Sequence, residues 1–586
     1  MAPVVDCGQF PVKRTVGERL SVSADVIRDG HEILRASVRQ RGPGARRFTS
    51  VPLDPLGNDR FGGSFEVTAC GRWQFGIEAW HDRAASWRDE LRRKVDAGQE
   101  DLTSELAEGE HLLRIAPLDV ETALASDASD REESTRSGQF DVDVDPELAR
   151  FGAWYELFPR SFGGFAGVEK ILPELADLGF DVVYFPPIHP IGRTGRKGRN
   201  NTLPAKKGDP GSPWAIGAAE GGHMAVHPEL GTLEDFDRLV ARASELELEI
   251  ALDFAIQCSP DHPWISEHPE WFKWRPDGTI KFAENPPKRY QDIVNVDFDS
   301  EDWRGLWEAL RDVVLFWIGH GVRMFRVDNP HTKPLPFWEW LLADVRGEHP
   351  DTVFLSEAFT RPAMMRALAK AGFNQSYTYF TWKNTRRELE EYVTELATET
   401  ADYLRPNFFV NTPDILHEYL QLGGAPAFEA RLVLAATLSP SYGIYSGYEG
   451  FENVAVRPGS EEYLDSEKYE LKRRRLDGPL LPLVRRLNEI RRANRSLQRI
   501  DNVTFLETAN EWLIAYVKRS EEDTVIVCVN LDPNGPREGL AIVPPGLGLP
   551  PSFTVQDLLT DESYAWHSGG NYILLGPGQA HVLHVR

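Results

Sequence analysis

The sequence predicts an α/β protein: a (β/α)8 TIM barrel with an inserted loop subdomain, flanked by an N-terminal β-sandwich and a C-terminal β-domain. Three observations carry that expectation. From Gly152, short apolar runs alternate with amphipathic stretches through eight strand–helix units. Ahead of residue 85 and beyond Ser496 the apolar period is two and turn residues are frequent. Two excursions, at 191–232 and 258–299, are too long for ordinary connections and should overhang the ends of the barrel strands.

Taken in order, GERLSVSADVI, ASVRQR, GSFEVTACG and GRWQFGIEAW alternate as antiparallel strands, which assigns residues 1–85 to the sandwich. WRDELRRKV and LTSELAEGEHLLR are helical, and SDASDREESTRSG is polar enough to expect a mobile linker, giving a short helical insert at 86–140. The barrel occupies 141–495. Its strands are GAWYELF, DVVYFPP, EIALDFAIQ, GVRMFRVDN, TVFLSEAF, NQSYTYF, NFFVNTPD and SYGIYSG, each followed by a helical stretch. VTFLET, WLIAYVKR, TVIVCVNLD, GLAIVPP and AHVLHVR then make a C-terminal β-sandwich at 496–586.

Size and charge narrow the function. A chain of 586 residues exceeds one core and should hold several domains. A net charge of −25 argues against a phosphate backbone as partner, so no nucleic acid is expected. No apolar run approaches the roughly 18 residues that span a bilayer, so no membrane is expected. The N-terminus MAPVVDCGQF lacks the basic and apolar regions of a signal peptide. Cys7, Cys70, Cys258 and Cys528 are scattered without metal-ligand spacing, which suits reduced thiols in a cytoplasm. The 16 Trp, 16 Tyr and 30 Phe include enough flat faces for sugar rings, though most should fill cores.

The chemistry gathers at the predicted strand ends. GVRMFRVDNPHTKP closes an apolar strand with Arg326, Asp328 and Asn329, and burying such charges costs several kcal/mol unless they pair or react. Strand three ends in Asp253 and Gln257, strand five in Ser356 and Glu357, and strand seven in Asn411 and Asp414. One carboxylate alone is better explained as a cap or an ion pair. Three converging on one cleft point to a reaction that uses them. Glycosyl transfer needs such a pair: Asp328 fits a nucleophile, Glu357 a general acid/base, and Arg326 a cation that keeps Asp328 ionised. Asp414 fits a group that binds sugar hydroxyls and supports the transition state.

FRVDNP, FLSEAF and FVNTPD resemble the nucleophile, acid/base and third-carboxylate regions of the α-amylase clan, glycoside hydrolase family 13. RTGRKGRNN, EGGHMAVHPELGT, ALDFAIQCSPDHPW, FAENPPKRYQDI and VNTPDILHEYLQ resemble its GlgE-type maltosyltransferase subgroup. The resemblance implies transfer of a maltosyl unit from α-maltose 1-phosphate to the non-reducing end of an α-1,4-glucan or maltooligosaccharide, with release of phosphate. It implies phosphate-pocket roles for Asn285, Lys288, Tyr290 and Asn329. It implies sugar-binding or supporting roles for Lys197, Gln257, Lys468 and Tyr469. No cofactor and no metal are expected, since no calcium-loop signature is visible. Gln257-Cys258 and Thr412-Pro413-Asp414 stand where ordinary hydrolases carry Asn-His and Asn-His-Asp.

Met224 and Ala225 depart from the subgroup near the expected phosphate. The helical insert that helps build the family's homodimer is shorter here, so a homodimer stays an open expectation. Two alternatives remain at this point: a hydrolase or transglycosylase acting on unphosphorylated maltooligosaccharides, and a non-catalytic glucan-binding protein.

Overall fold

The computed structural model describes residues 1–285 and 288–586; Pro286, Pro287 and the side chains of Glu132, Glu133, Asn285 and Lys288 lie outside that description. The chain divides into two compact units, Met1–Asp145 and Pro146–Arg586.

The first unit is built on an eight-stranded sheet. Leu20, Val22 and Ala24 alternate with more exposed neighbours along Arg19–Asp25, so one face is buried. Thr49–Gly57 and Arg60–Glu66 form a hairpin. Asn58 and Asp59, both at positive φ (49° and 59°), turn it in the sense that suits the strand twist. Helices Arg83–Asp96, Thr103–Leu113 and Val120–Ala125 carry a small core of Trp87, Leu91, Leu118 and Ala123. Gly109 is needed there, because a Cβ would sit 2.0 Å from the Trp87 ring. The polar stretch that composition marks as a linker is structured in part. The backbone of Glu132–Arg136 pairs with one end of the strand Gly71–His81, and Phe140–Asp145 pairs with the other end along the same edge, opposite Leu34–Arg41. Buried Asp82 draws that stretch in by accepting hydrogen bonds from Ser129 Oγ (2.9 Å) and the Asp130 amide (3.2 Å).

The second unit holds a closed parallel barrel. Its strands are β1 (Gly152–Glu156), β2 (Val182–Phe185), β3 (Glu249–Phe254), β4 (Met324–Asp328), β5 (Val353–Glu357), β6 (Gln375–Tyr377), β7 (Pro406–Phe409) and β8 (Ser441–Tyr445). The helices that follow them are α1 (Phe165–Asp177), α2 (Leu233–Glu245), α3 (Trp303–Gly319), α4 (Leu335–Glu348), α5 (Pro362–Ala371), α6 (Arg386–Thr398), α7 (Glu418–Leu438) and α8 (Leu481–Ala493). Helix starts follow local chemistry. Thr232 with Asp235 and Thr385 with Glu388 form capping boxes that fix the first turns of α2 and α6.

All residues of β4 and β5 are buried, as strands covered on both faces require. Trp154, Tyr184, Ala251, Met324, Leu355, Tyr377 and Phe409 pack together as the barrel's inner floor. Side chains two residues apart share a face, so Met324, Arg326 and Asp328 step from that floor toward the strand ends. The excursion after β3 contains a hairpin, Phe282–Asn285 with Lys288–Val294. Beyond α8 an eight-stranded sheet closes over Leu513, Ala515, Ile526, Cys528, Val555, Trp566 and Leu583. No helix of the described residues is long and apolar enough to cross a membrane.

Candidate active site

Three strands supply the charged centre, and register decides who meets whom. Asp253 on β3 lies opposite Arg326, and Asp328 on β4 lies opposite Glu357 on β5. All four side chains are almost wholly buried, between 4% and 7% exposed. The Arg326 guanidinium holds the three carboxyls together. Its Nη1 donates to Asp253 Oδ2 and to Asp328 Oδ1, each at 2.8 Å, and Nη2 lies 2.9 Å from Glu357 Oε1. Tyr184 and Tyr377 flank the cation, with each ring centroid 5.9 Å from its Cζ.

Asn329 turns the chain away at the end of β4 in the left-handed region (φ 42°, ψ 52°), a conformation Asn tolerates better than most residues. That turn aims its amide N–H at Glu357 Oε2 (3.1 Å) while its side-chain Nδ2 donates to Asp328 Oδ2 (3.3 Å). The predicted residues Asp328, Glu357, Arg326 and Asn329 are therefore brought into one cluster.

The two facing carboxyls are driven apart in acidity. Burial pushes Glu357 up to about 8, against the pull of Arg326 and with the push of the Asp328 charge. Burial also acts on Asp328, but Arg326, Lys333 and the Asn329 amide outweigh it and hold its carboxyl below the usual carboxylate range. Asp253 is pushed up to about 7 by burial, although Tyr184 OH (2.7 Å), Trp214 Nε1 (3.2 Å) and Arg326 all donate to its Oδ2. Such splitting of neighbouring acids is how one site can hold an ionised and a protonated carboxyl at neutral pH.

Asp414 lies at the open side of this buried cluster, and its charge adds to the upward push of burial on Glu357 and Glu156. Its side chain is 46% exposed and ion-paired with Lys468. The Lys468 ammonium also lies 5.0 Å from the Trp214 ring and 6.0 Å from that of Tyr469. Since Trp214 donates to Asp253, one indole connects the Asp414–Lys468 pair to the charged centre. The segment bearing Lys468 is anchored from below. Arg160 Nη2 donates to the carbonyls of Glu467 (2.6 Å) and Lys468 (3.1 Å), and Tyr445 OH donates to Glu467 Oε2 (2.7 Å). Burial pushes the Tyr469 phenol up to about 12.

The remaining predicted residues lie on the two excursions. Lys197 is buried and donates to Gln291 Oε1 at 2.6 Å, with the buried Asp292 carboxyl acting on it electrostatically. Tyr290 is half-buried on the hairpin strand opposite Ala283. Gln257 is half-buried just past β3, its amide turned back to the Ala255 carbonyl (3.0 Å). Of Asn285 and Lys288 only the backbone is described, at the facing ends of the hairpin; the readings placed on their side chains lie outside the described residues. Met224 is exposed, and the Ala225 carbonyl accepts from His189 Nδ1 at 3.0 Å.

Sequence reasoning missed Glu156, Tyr184, Trp214 and Tyr377. Glu156 ends β1, is 2% exposed, and has a carboxyl pushed well above the usual range by burial. A carboxylate at the end of GAWYE, where a barrel strand meets its loop, is the signal that could have found it. Trp214 lies in an irregular loop and no local pattern marks it.

A second buried polar cluster lies close by in sequence. His223, Cys258 and His262 bring ligand-type atoms within 4.8 Å of one another. The Trp264 amide donates to His262 Nδ1 (3.1 Å), His262 Nε2 pairs with His223 Nδ1 (3.1 Å), and His223 Nε2 reaches the Ala255 carbonyl (3.0 Å). That chain engages all four ring nitrogens as neutral imidazoles, and a cation would have to break it.

Comparison with known proteins adds what geometry alone does not. The family described as "Alpha-1,4-glucan:maltose-1-phosphate maltosyltransferase, domain N/S" matches residues 1–157, and "GLGE, C-terminal" matches residues 505–585. A Streptomyces coelicolor protein named alpha-1,4-glucan:maltose-1-phosphate maltosyltransferase 2 is 50% identical, over 100% of this chain and 95% of its own length. Proteins named alpha-1,4-glucan:maltose-1-phosphate maltosyltransferase from Mycolicibacterium smegmatis (46%; 100% and 96% covered) and Pseudomonas aeruginosa (48%; 98% and 94%) are similar across the same span. Among solved structures, an α-amylase from Lactobacillus plantarum shares the fold with a TM-score of 0.59 at 23% identity, over 75% of this chain and 99% of that one.

Proposed function

The chain belongs to the α-1,4-glucan:maltose-1-phosphate maltosyltransferase family, and from that premise we propose how its strand-end residues perform the transfer. The donor is α-maltose 1-phosphate and the acceptor is the non-reducing end of an α-1,4-glucan. Asp328, ionised, attacks the anomeric carbon as the bond to the phosphate oxygen breaks, leaving a maltosyl ester on Asp328. Glu357, protonated, gives its proton to the departing phosphate oxygen. Glu357, now a carboxylate, takes the proton of the acceptor's hydroxyl while that oxygen attacks the same carbon and frees Asp328. Two inversions retain the α configuration, and no net proton is gained or lost by the enzyme.

Arg326 keeps Asp328 anionic and balances the site as charge moves from Asp328 to phosphate. Asp414, with Lys468 holding its orientation, takes sugar hydroxyls. Tyr290, Asn285, Lys288 and Asn329 are assigned to the phosphate, Lys197 and Gln257 to the sugar, and Tyr469 to the wall beside Lys468. The observation that carries this reading is a pair of register-matched carboxyls, Asp328 and Glu357, sharing one guanidinium yet displaced in opposite directions in acidity.

The test is release of inorganic phosphate from α-maltose 1-phosphate in the presence of maltooligosaccharide acceptor. Release that requires acceptor, with products longer by two glucosyl units, is the expected result. Consumption of maltooligosaccharides at the same rate without the phosphorylated donor would favour the hydrolase or transglycosylase reading instead. Glu357→Gln should lower turnover by about 10²–10⁴-fold while donor binding persists, and unchanged turnover rejects the role given to Glu357.

A further inference from the structure

We propose that a cavity beside the loops that follow β1 and β2 binds a small phosphomonoester of sugar size, and that its occupancy acts on the Lys468 segment of the active site. The effect on transfer rests on the reading given above; the binding does not. The cavity has a volume of about 470 Å3 and is lined by Arg160, Arg193, Arg196, His227 and Glu229, with seven prolines among its walls. None of the residues assigned above to the donor or the acceptor lines it.

Two of its cations have no counter-charge in contact. Arg160 donates to the carbonyls of Gly211 (3.0 Å), Glu467 (2.6 Å) and Lys468 (3.1 Å). Arg196 donates to those of Gly192 (2.8 Å), Ile191 (2.9 Å) and Asp209 (3.5 Å). Each guanidinium thus spends three of its five N–H groups on backbone, and neither meets a carboxylate oxygen at hydrogen-bond distance among the described residues. Burial pushes Arg160 down to about 10 and Arg196 in the same direction, and the neighbouring arginine charges add to that push. The acidic groups nearby do not answer this charge. Glu220 is paired with Arg193 (2.8 Å), Asp209 Oδ2 accepts from the Lys206 amide (2.6 Å), and exposed Glu229 acts on Arg160 and Arg196 only at a distance.

The rest of the lining narrows the class of ligand. His227 Nδ1 accepts from the Glu229 amide (3.2 Å), so the ring proton sits on Nε2 and adds a neutral donor. Burial, with the charges of Arg160 and Arg196, outweighs Glu229 and keeps that imidazole neutral at pH 7. Planar guanidinium forks match the oxygens of a phosphate. The cavity is larger than a bare phosphate needs and falls within the range of about 300–1,000 Å3 usual for small-molecule sites. Proline rings carry no amide hydrogen and present apolar faces in fixed positions, which suits a sugar ring. The exposed Glu229 carboxylate can accept from its hydroxyls.

Arg160 connects this cavity to the reaction. It lines the cavity and also holds the carbonyls of Glu467 and Lys468, and Leu471, three residues further on, lines the cavity as well. Phe158 is a second shared wall. Its ring faces the cavity and packs edge-on against Trp214 and Tyr445, with centroids 6.0 Å apart in each pair, and Trp214 donates to Asp253. A phosphate taken up by the remaining N–H groups adds to the carbonyl bonds of Arg160 instead of replacing them. The bound ligand therefore favours the arrangement in which Lys468 pairs with Asp414.

Titration calorimetry with glucose 6-phosphate, with no donor or acceptor present, tests the site. The wild-type chain should bind it at least about tenfold more tightly than inorganic phosphate and should not bind glucose. Arg196→Gln and Arg193→Glu should each weaken that binding by about tenfold or more. Arg193 is exposed, so Arg193→Glu serves if Arg196→Gln does not fold. Tyr290→Ala, which alters the phosphate pocket proposed for the donor, should leave the binding unchanged. In the transfer assay, saturating glucose 6-phosphate should lower the wild-type KM for α-maltose 1-phosphate about fivefold, with kcat within about twofold, and Arg193→Glu should abolish the response. The proposal is overturned if glucose 6-phosphate does not bind, if it binds no more tightly than phosphate, or if both arginine variants bind it as the wild type does. It is equally overturned if Tyr290→Ala is the variant that loses it, or if the KM of an active enzyme does not move while the site is full. Because calorimetry uses no donor, a failure of the transfer reading would leave the binding result standing.

Discussion

Two buried polar clusters stand near each other in the barrel unit and differ in what they leave unfinished. Around Arg326, one cation faces Asp253, Asp328 and Glu357, and Asp253 Oδ1, Glu156 Oε2 and Arg326 Nε have no hydrogen-bond partner among the described residues. Around His223 and His262, every ring nitrogen is engaged and no net charge is buried. The first arrangement is costly and leaves buried polar atoms without a protein partner among the described residues; the second is already complete. Burial of polar groups therefore does not mark function by itself. An imbalance of charge and of hydrogen bonds does.

If that contrast is right, the largest effect belongs to Asp328. Asp328→Asn should cut turnover by at least about 10⁴-fold, since an amide cannot form the ester in its place. Steady-state phosphate release measures it, and a loss under tenfold would break the distinction drawn between the clusters.

The pH profile comes next. Glu357, raised to about 8, is protonated below that value and ionised above it. Activity that needs its proton should hold to about pH 8 and fall beyond. Asp328, held below the usual carboxylate range, should place the acid limb below about pH 4. Arg326→Met removes the cation that lowers both groups, so both limbs should move up and the acid limb should enter the measurable window. Turnover in this variant should fall about 10²-fold. A profile with unmoved limbs would mean that Arg326 is only a structural bridge.

The same contrast explains how much was legible beforehand. The eight strand ends could be read because parallel barrel strands are apolar on both faces, so Arg326, Asp328 and Glu357 interrupt the pattern visibly. Trp214 and Tyr184 could not be read, because an aromatic residue in a loop or a core strand looks like packing until its donor is seen to reach Asp253. In the C-terminal sheet, Ser552–Asp557, Ser563–His567 and Gly569–Leu575 were not recognised as strands. Their polar and glycine content hides an alternation that only pairing reveals: Phe553 and Val555 face inward, and Asn571 ties its own turn through the His567 amide (2.9 Å). The helix starts at Thr232 and Thr385 were open to reading, since a capping box is local chemistry. Residue roles at the phosphate were reached only through resemblance, because a lysine and an asparagine on a long excursion carry no periodic signal.

The smallest effect should come from the closed cluster, and it should be of a different kind. His262→Ala leaves His223 Nδ1 and the Trp264 amide without partners, which costs about 1–3 kcal/mol of stability at pH 7 and should leave turnover within about twofold. The pH dependence identifies the cause. Burial pushes His223 down to about 4 and His262 down to about 2, so both stay neutral in the folded chain where the unfolded chain would protonate them. Below an unfolded value of about 6.5, protons favour the unfolded state, and each buried histidine loses the wild type some stability as pH falls toward the folded values. A variant lacking one of them is spared that share. Its deficit relative to wild type should therefore narrow between pH 7 and pH 5 in urea unfolding. A deficit that widens on acidification would mean that the imidazoles are charged in the folded chain, and with it the claim that this cluster is complete and silent would fall.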